Sequence, residues 1–255
     1  MQQILIPFFI IIYGLVVGSF LNVCIYRIPL DKSVAKGRSY CPNCGELIPW
    51  QRNIPLISFI ILKGRCKDCH TSISIIYPLV EFLNALLWLI TWLMLGFTLE
   101  ALFIALLSSL LIVVSFIDLK HKIIPDGLVI ILLILGFSNA CFQIFFNNQH
   151  WSLWIIGFFA ASLPLYLMGM IYRDGMGGGD IKFMAAAGLF LGWKLILLAL
   201  FIGSIYALLY ALVLLISRKA IRKTQIPFGP FLSLGIITSA FVGSDIINLY
   251  LTLFF

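Results

Sequence analysis

The sequence has little charge. Of its 255 residues only 11% are Asp, Glu, Lys or Arg, against 62% apolar. A water-soluble domain of this length needs roughly twice that charged fraction to cover its surface. The shortage is also uneven. Residues 4–26, 101–117, 127–149, 151–172 and 195–217 hold no charged side chain at all. Each run is close to the roughly 20 residues that cross a hydrocarbon core as a helix. A backbone in lipid must satisfy its own hydrogen bonds, so these runs predict transmembrane helices. A basic leader is missing as well. The chain opens Met1-Gln2-Gln3, and Arg27 follows the first apolar run instead of preceding it. That run of 23 uncharged residues also exceeds an ordinary signal-peptide core, so it is expected to be a retained span with its N-terminus outside. No internal repeat or low-complexity stretch is visible.

The basic residues that are present fix an orientation, because Lys and Arg concentrate in short cytoplasmic loops. Eight of the 17 lie between Arg27 and Lys67, and Lys120 and Lys122 follow the third span. Arg173 and Lys182 flank the fifth connection, and Arg218, Lys219, Arg222 and Lys223 close the seventh span. The connections around 96–100 and 147–150 have none. Placing every basic segment inside requires an even number of crossings between 182 and 217. The 34 residues 183–216 would make about 51 Å of helix. Two full crossings need more, so 183–193 is expected to be short, tilted or re-entrant, with Gly188 and Gly192 giving close packing. The expected fold is all-α and polytopic, with about eight membrane segments and both termini outside. The net charge of +7 fits loops beside anionic lipid and calls for no nucleic-acid partner.

One polar segment stands out. Within 27–75 lie Cys41-Pro-Asn-Cys44 and Cys66-Lys-Asp-Cys69. Two CxxC knuckles at this separation can bring four thiolates to the corners of a tetrahedron, the structural zinc pattern. A cytoplasmic loop keeps its thiols reduced, which argues against disulfides, and a thioredoxin-like role would need one CxxC on a βαβ unit. Cys41, Cys44, Cys66 and Cys69 are therefore the expected ligands of a structural Zn(II). A closed four-sulfur site leaves no position for substrate. His70 reads as a solvated loop residue, and Cys24 and Cys141 as packing residues within spans.

Acids are scarce enough to sort singly. Asp31, Glu46 and Asp68 belong to the basic loop, Glu100 to an outer turn, and Asp245 to the far part of the last span. Glu81, Asp118, Asp126, Asp174 and Asp180 remain near the inner face. Asp118 ends a charge-free run, and Asp180 ends Gly177-Gly178-Gly179-Asp180. Glycines before an acid let a backbone approach another helix or an extended peptide. Two carboxylates a few ångströms apart share one proton, so one can act as base on water while the other donates to a scissile carbonyl. Each acid also has a bland role. Asp118 can pair with Lys122, Asp126 can cap the fourth span, Glu81 can be the buried partner of a loop Arg, and Asp174 can be exposed beside Arg173. From the residues alone Asp126 stays a rival to Asp118.

The ordered motifs resemble the bacterial prepilin peptidases, the type IV leader peptidases of the GxGD aspartic protease class. The likeness runs through Gly18-Ser19-Phe20-Leu21-Asn22-Val23, Tyr26-Arg27-Ile28-Pro29 and the paired CxxC loop. It continues in Tyr77-Pro78-Leu79-Val80-Glu81, Ile117-Asp118, Ile124-Pro125-Asp126 and Gly177-Gly178-Gly179-Asp180-Ile181-Lys182. The resemblance implies that Asp118 and Asp180 are the catalytic pair. It also implies prepilin or pseudopilin precursors as substrates, cut after a short basic leader ending in glycine, and methylation of the new N-terminus with S-adenosylmethionine. No glycine-rich nucleotide fingerprint marks a site for that cofactor. Gly177, Gly178, Gly179, Asp126, Lys182 and Glu81 are the expected substrate-binding residues. The expected division of the chain is a first transmembrane helix at 1–26, a zinc-knuckle loop at 27–75 and a membrane peptidase domain at 76–255, acting at the cytoplasmic face of the inner membrane. Two rivals remain. An ion-coupled transporter would predict inverted repeats and acids nearer the midplane, and a non-catalytic zinc-bearing scaffold leaves the glycine run before Asp180 without a purpose.

Overall fold

A computed structural model of the chain describes residues 2–171, 177–217 and 226–254. Arg173, Asp174, Arg218, Lys219, Arg222 and Lys223, on which part of the orientation argument rests, lie outside the described residues. The described residues form helices and loops with no strand beyond two isolated bridges. Nine α-helices follow in order: α1 Gln2–Arg27, α2 Ile57–Ile61, α3 Ile76–Leu95, α4 Leu99–His121, α5 Asp126–Phe146, α6 Ser152–Ile171, α7 Gly178–Leu191, α8 Trp193–Ile216 and α9 Gly229–Phe254. Seven of them are long and apolar enough to cross a membrane; the exceptions are α2 and α7. The chain divides within α4, between Val113 and Val114, into two units.

In the first unit α1 packs along α3. Gly14 and Gly18, spaced four apart on one face of α1, make this possible. A Cβ on Gly14 would lie 2.6 Å from Ala85 Cα, and one on Gly18 would lie 2.7 Å from Glu81 Cα. Small residues at this spacing let two helix backbones touch where no hydrophobic effect drives association. Polar groups then lock the pair. The fully buried Asn84 donates to the Gly14 carbonyl at 2.7 Å and accepts from the Ser109 hydroxyl at 2.7 Å.

In the second unit α7 is the centre. It packs against α5, α6, α8 and α9, and Phe183 through Gly188 are all buried. Its 14 residues reach only about 21 Å, short of the roughly 30 Å hydrocarbon core. The expected short piece therefore begins at Gly178, and the eight expected segments resolve into seven full-length helices and this buried half-length one. A helix ending inside a bundle must have its last carbonyls satisfied. Asn139 of α5 donates to the Phe190 carbonyl at 2.9 Å, and Gly192, at φ +77°, turns the chain into α8. Gly188 faces Gly157 of α6 so closely that a Cβ on either would overlap the other's carbonyl oxygen.

Candidate active site

Asp118 occupies the last turn of α4, only 5% exposed, between the buried Ile117 and the exposed Leu119. The first N–H groups of a helix have no partner within it, and one of them reaches this carboxylate. Gly229, the first residue of α9, donates its N–H to Asp118 Oδ2 at 2.8 Å. A Cβ on residue 229 would sit 2.8 Å from that same oxygen, so any larger residue there must displace the carboxylate or the start of α9. The alternative partner Lys122 contributes only its backbone N–H, to the Asp118 carbonyl at 2.8 Å.

Asp180 stands in the first turn of α7, half-buried, where the helix dipole favours an anion. The three glycines before it serve different ends. Gly177 caps the helix, accepting from the Asp180 N–H at 3.1 Å, and a Cβ there would crowd Asp180 Oδ2 at 3.0 Å. Gly179 packs against Ile124, whose Cβ would be 3.2 Å from its own. A Cβ on Gly178 would meet nothing within 4 Å among the described residues, and Gly178 is exposed. Asp118 at the end of α4 and Asp180 at the start of α7 belong to the same unit, and the Asp118 carboxylate acts electrostatically on Asp180.

Asp126 is not part of that pair. It begins α5, exposed, with Pro125 as the capping residue and no side-chain cap of its own. Its carboxylate instead takes an ion pair from Lys182 Nζ at 2.9 Å, tying the start of α5 to the first turns of α7. Both side chains are largely exposed, the setting in which such pairs contribute little stability.

Glu81 belongs to the first unit, near the start of α3 and buried. It has no arginine partner among the described residues; its Oε2 accepts the Leu56 N–H at 2.8 Å. Leu56 has φ +58°, a costly conformation for a bulky side chain, and this hydrogen bond pins it. The arginine at the other end of the same loop is also committed. Arg27, 8% exposed, directs its guanidinium at the carbonyls of Ser33, Lys36, Gly37 and Arg38. A buried cation is thus met by four backbone dipoles in place of an acid.

The two cysteine knuckles fold alike. Gly45 N–H bonds to the Cys41 carbonyl and His70 N–H to the Cys66 carbonyl, while Cys41 N–H and Cys66 N–H bond to Glu46 and Thr71. The bridges Tyr40–Leu47 and Arg65–Ser72 close both turns at the same spacing. All six cysteines are free, and the four knuckle sulfurs lie within 4.8 Å of one another. Cys41 and Cys69 are 3.8 Å apart, and a tetrahedral site with metal–sulfur bonds of about 2.3 Å has edges of about 3.8 Å. The cluster fits a four-sulfur metal. Thr71 and then Asn43, through their hydrogen bonds, hold the Cys69 thiol down at about 6.

One contact of the site residues has almost no trace in the sequence: Gly229 acts through a backbone N–H, and only the Gly229-Pro230 pair opening α9 marks it. Arg27 stands in the Tyr26-Arg27-Ile28-Pro29 motif, but its four carbonyl partners are not legible there.

The chain is a many-spanning helical protein with a buried carboxylate closing α4 and a second carboxylate opening α7. Comparison with known proteins is specific. Residues 104–212 match the type IV leader peptidase family, and residues 12–95 match the bacterial peptidase A24 N-terminal domain. The chain belongs to the type IV leader peptidase family. It is 34% identical to the prepilin leader peptidase/N-methyltransferase of Legionella pneumophila, over 94% of this chain and 92% of that protein. It is 32% identical to the protein of the same name from Bacillus subtilis, over 94% and 96% of the two chains. The Pseudomonas aeruginosa protein of that name is 34% identical over 94% and 92%. No solved structure matches the chain.

Proposed function

We propose that this chain is a membrane aspartic endopeptidase that removes the short basic leader from type IV prepilin-like or pseudopilin precursors at the cytoplasmic face of the membrane. We also propose that it methylates the new N-terminus with S-adenosylmethionine. The observation that supports the first part is the electrostatic influence of the buried Asp118 carboxylate on Asp180, which opens α7 behind its glycines. Two such carboxylates hold one proton between them. The ionised member takes a proton from water as that water attacks the scissile carbonyl, and the protonated member gives its proton to the carbonyl oxygen. Collapse of the tetrahedral adduct then expels the amine, which takes up a proton. The Gly229 N–H on Asp118 Oδ2 fixes the orientation of that carboxylate.

The exposed backbone at Gly177–Gly178 supports docking of an extended substrate segment, with Asp126 and Lys182 as exposed polar contacts. Glu81 contributes through the loop it anchors. In this scheme 1–26 is an anchoring span, 27–75 a zinc-knuckle loop and 76–255 the membrane peptidase. Cys41, Cys44, Cys66 and Cys69 hold Zn(II), which cross-links a loop too small to form its own core. Methyl transfer rests on the relatives' double name, and no residue of this chain is assigned to it. The test is incubation of the purified full chain, in lipid, with a precursor and the methyl donor. Mass spectrometry should find a product beginning just after the leader glycine and carrying one methyl group. An intact precursor would contradict the peptidase assignment, and a cut but unmethylated product would contradict the transferase assignment.

A further inference from the structure

The loop 27–75 carries a surface that neither peptide cleavage nor metal binding uses. It holds eight Lys and Arg against three Asp and Glu. Beside the second knuckle is a groove of about 480 Å³ lined by Ile61, Leu62, Lys63, Arg65, Lys67 and His70, next to Cys66. No acid lines it, and among the described residues Lys63, Arg65 and Lys67 form no ion pair. The groove continues into an apolar ridge. Ile57, Ile60 and Ile61, at helical spacing on α2, are exposed, the last two at 72% and 73%. Trp50 is 74% exposed, and its segment is tied to α2 by the Ser58 hydroxyl, which accepts from the Ile54 N–H at 2.9 Å. Aliphatic and indole side chains do not stand in water in such a group without a partner.

The geometry points to a docking site for anionic phospholipid: the α2 ridge inserts at the bilayer surface and Lys63, Arg65 and Lys67 hold the phosphate groups. Both ends of the loop enter spans, α1 at Arg27 and α3 at Ile76, so the bilayer is the nearest large apolar body with complementary charge. Apolar side chains rimmed by cations are the composition of segments lying in a lipid interface. A tryptophan with one wet edge belongs at the same depth. Each cation beside an anionic surface favours contact by about fivefold. The metal-bound knuckle gives the ridge a rigid frame, and docking would hold the loop against the membrane.

The test is hydrogen–deuterium exchange of the full-length, metal-loaded protein in nanodiscs of phosphatidylcholine alone or with phosphatidylglycerol. Amides of 57–70 should exchange at least about threefold more slowly in the anionic discs, an effect weakened by salt, while α5 and α6 are unchanged. The triple variant Lys63→Glu, Arg65→Glu, Lys67→Glu should lose the difference. Ile60→Ser with Ile61→Ser should reduce it with every ligand and cation in place. One metal ion per chain and unaltered exchange at 39–48 verify that the variants are folded. Equal exchange of 57–70 in both discs would overturn the proposal. So would equal slowing by inorganic phosphate added to phosphatidylcholine discs, which would make the groove a site for soluble anions.

Discussion

Replacing Gly229 with alanine tests the positioning of the dyad without removing a carboxylate. The new Cβ would lie 2.8 Å from Asp118 Oδ2 and 3.2 Å from its Cγ. Ordinary C···O contacts begin near about 3.3 Å, so the overlap is about half an ångström. Neither neighbour can yield freely: Asp118 lies between the buried Ile117 and the turn that ends α4, and Gly229 begins a helix whose Leu232 and Ser233 are buried. Relief therefore stretches the 2.8 Å hydrogen bond beyond the good N–H···O range or turns the carboxylate away from Asp180. A hydrogen bond to a charged group contributes about 1.5–3 kcal/mol, and a misplacement of about 1 Å can cost about a hundredfold in rate. Gly229→Ala should lower kcat by about 10- to 100-fold with KM within about twofold, because the contact is to the catalytic group and not to substrate. Gly178→Ala should do the reverse and act mainly on KM, since no described residue lies within 4 Å of its Cβ position. The assay is leader removal from a precursor by full-length protein in lipid, with thermal stability and metal content as controls on folding. A folded Gly229→Ala protein with wild-type kcat would refute the reasoning.

Other outcomes follow from the same contacts. Asn139→Leu strips the side-chain donor from the Phe190 carbonyl and should cost about 1–3 kcal/mol, read as a lower midpoint in detergent-induced unfolding, whereas the exposed Phe145→Leu should cost much less. Removing the metal with a chelator should expose 39–73 to protease while the α5–α8 fragment stays intact, and re-addition of Zn(II) should restore protection.

Charge gaps were enough to place five of the seven long helices, because lipid excludes charge so strongly that its absence marks a span; α3 and α9 carry Glu81 and Asp245 within them. The shortness of α7 was legible too: 34 residues between two basic segments cannot supply two full crossings. Gly188 was readable as a contact, since small residues are what close packing in lipid needs. Asp180 stood out through its glycines. Asp118 did not stand out from Asp126 on composition, because what separates them is long-range. Asp126 is drawn off by Lys182, 56 residues away, and Asp118 is held by Gly229, 111 residues away. No local pattern carries those distances. Asn84 and Asn139 were invisible to a search for charge, although each satisfies a backbone carbonyl inside the bundle. Glu81 was legible as an important buried acid, but its partner was not, since any residue can offer the backbone N–H that Leu56 supplies.

The central claim is that Asp118 and Asp180 work as one unit. Its most direct test is the rate of leader removal by Asp118→Asn, by Asp180→Asn and by the double variant, each as folded, metal-loaded protein. Asparagine keeps the shape of either side chain and removes the shared proton. Each single variant should fall to the rate of the double variant, since members of a catalytic unit are not additive. Substantial cleavage by either single variant would contradict the account.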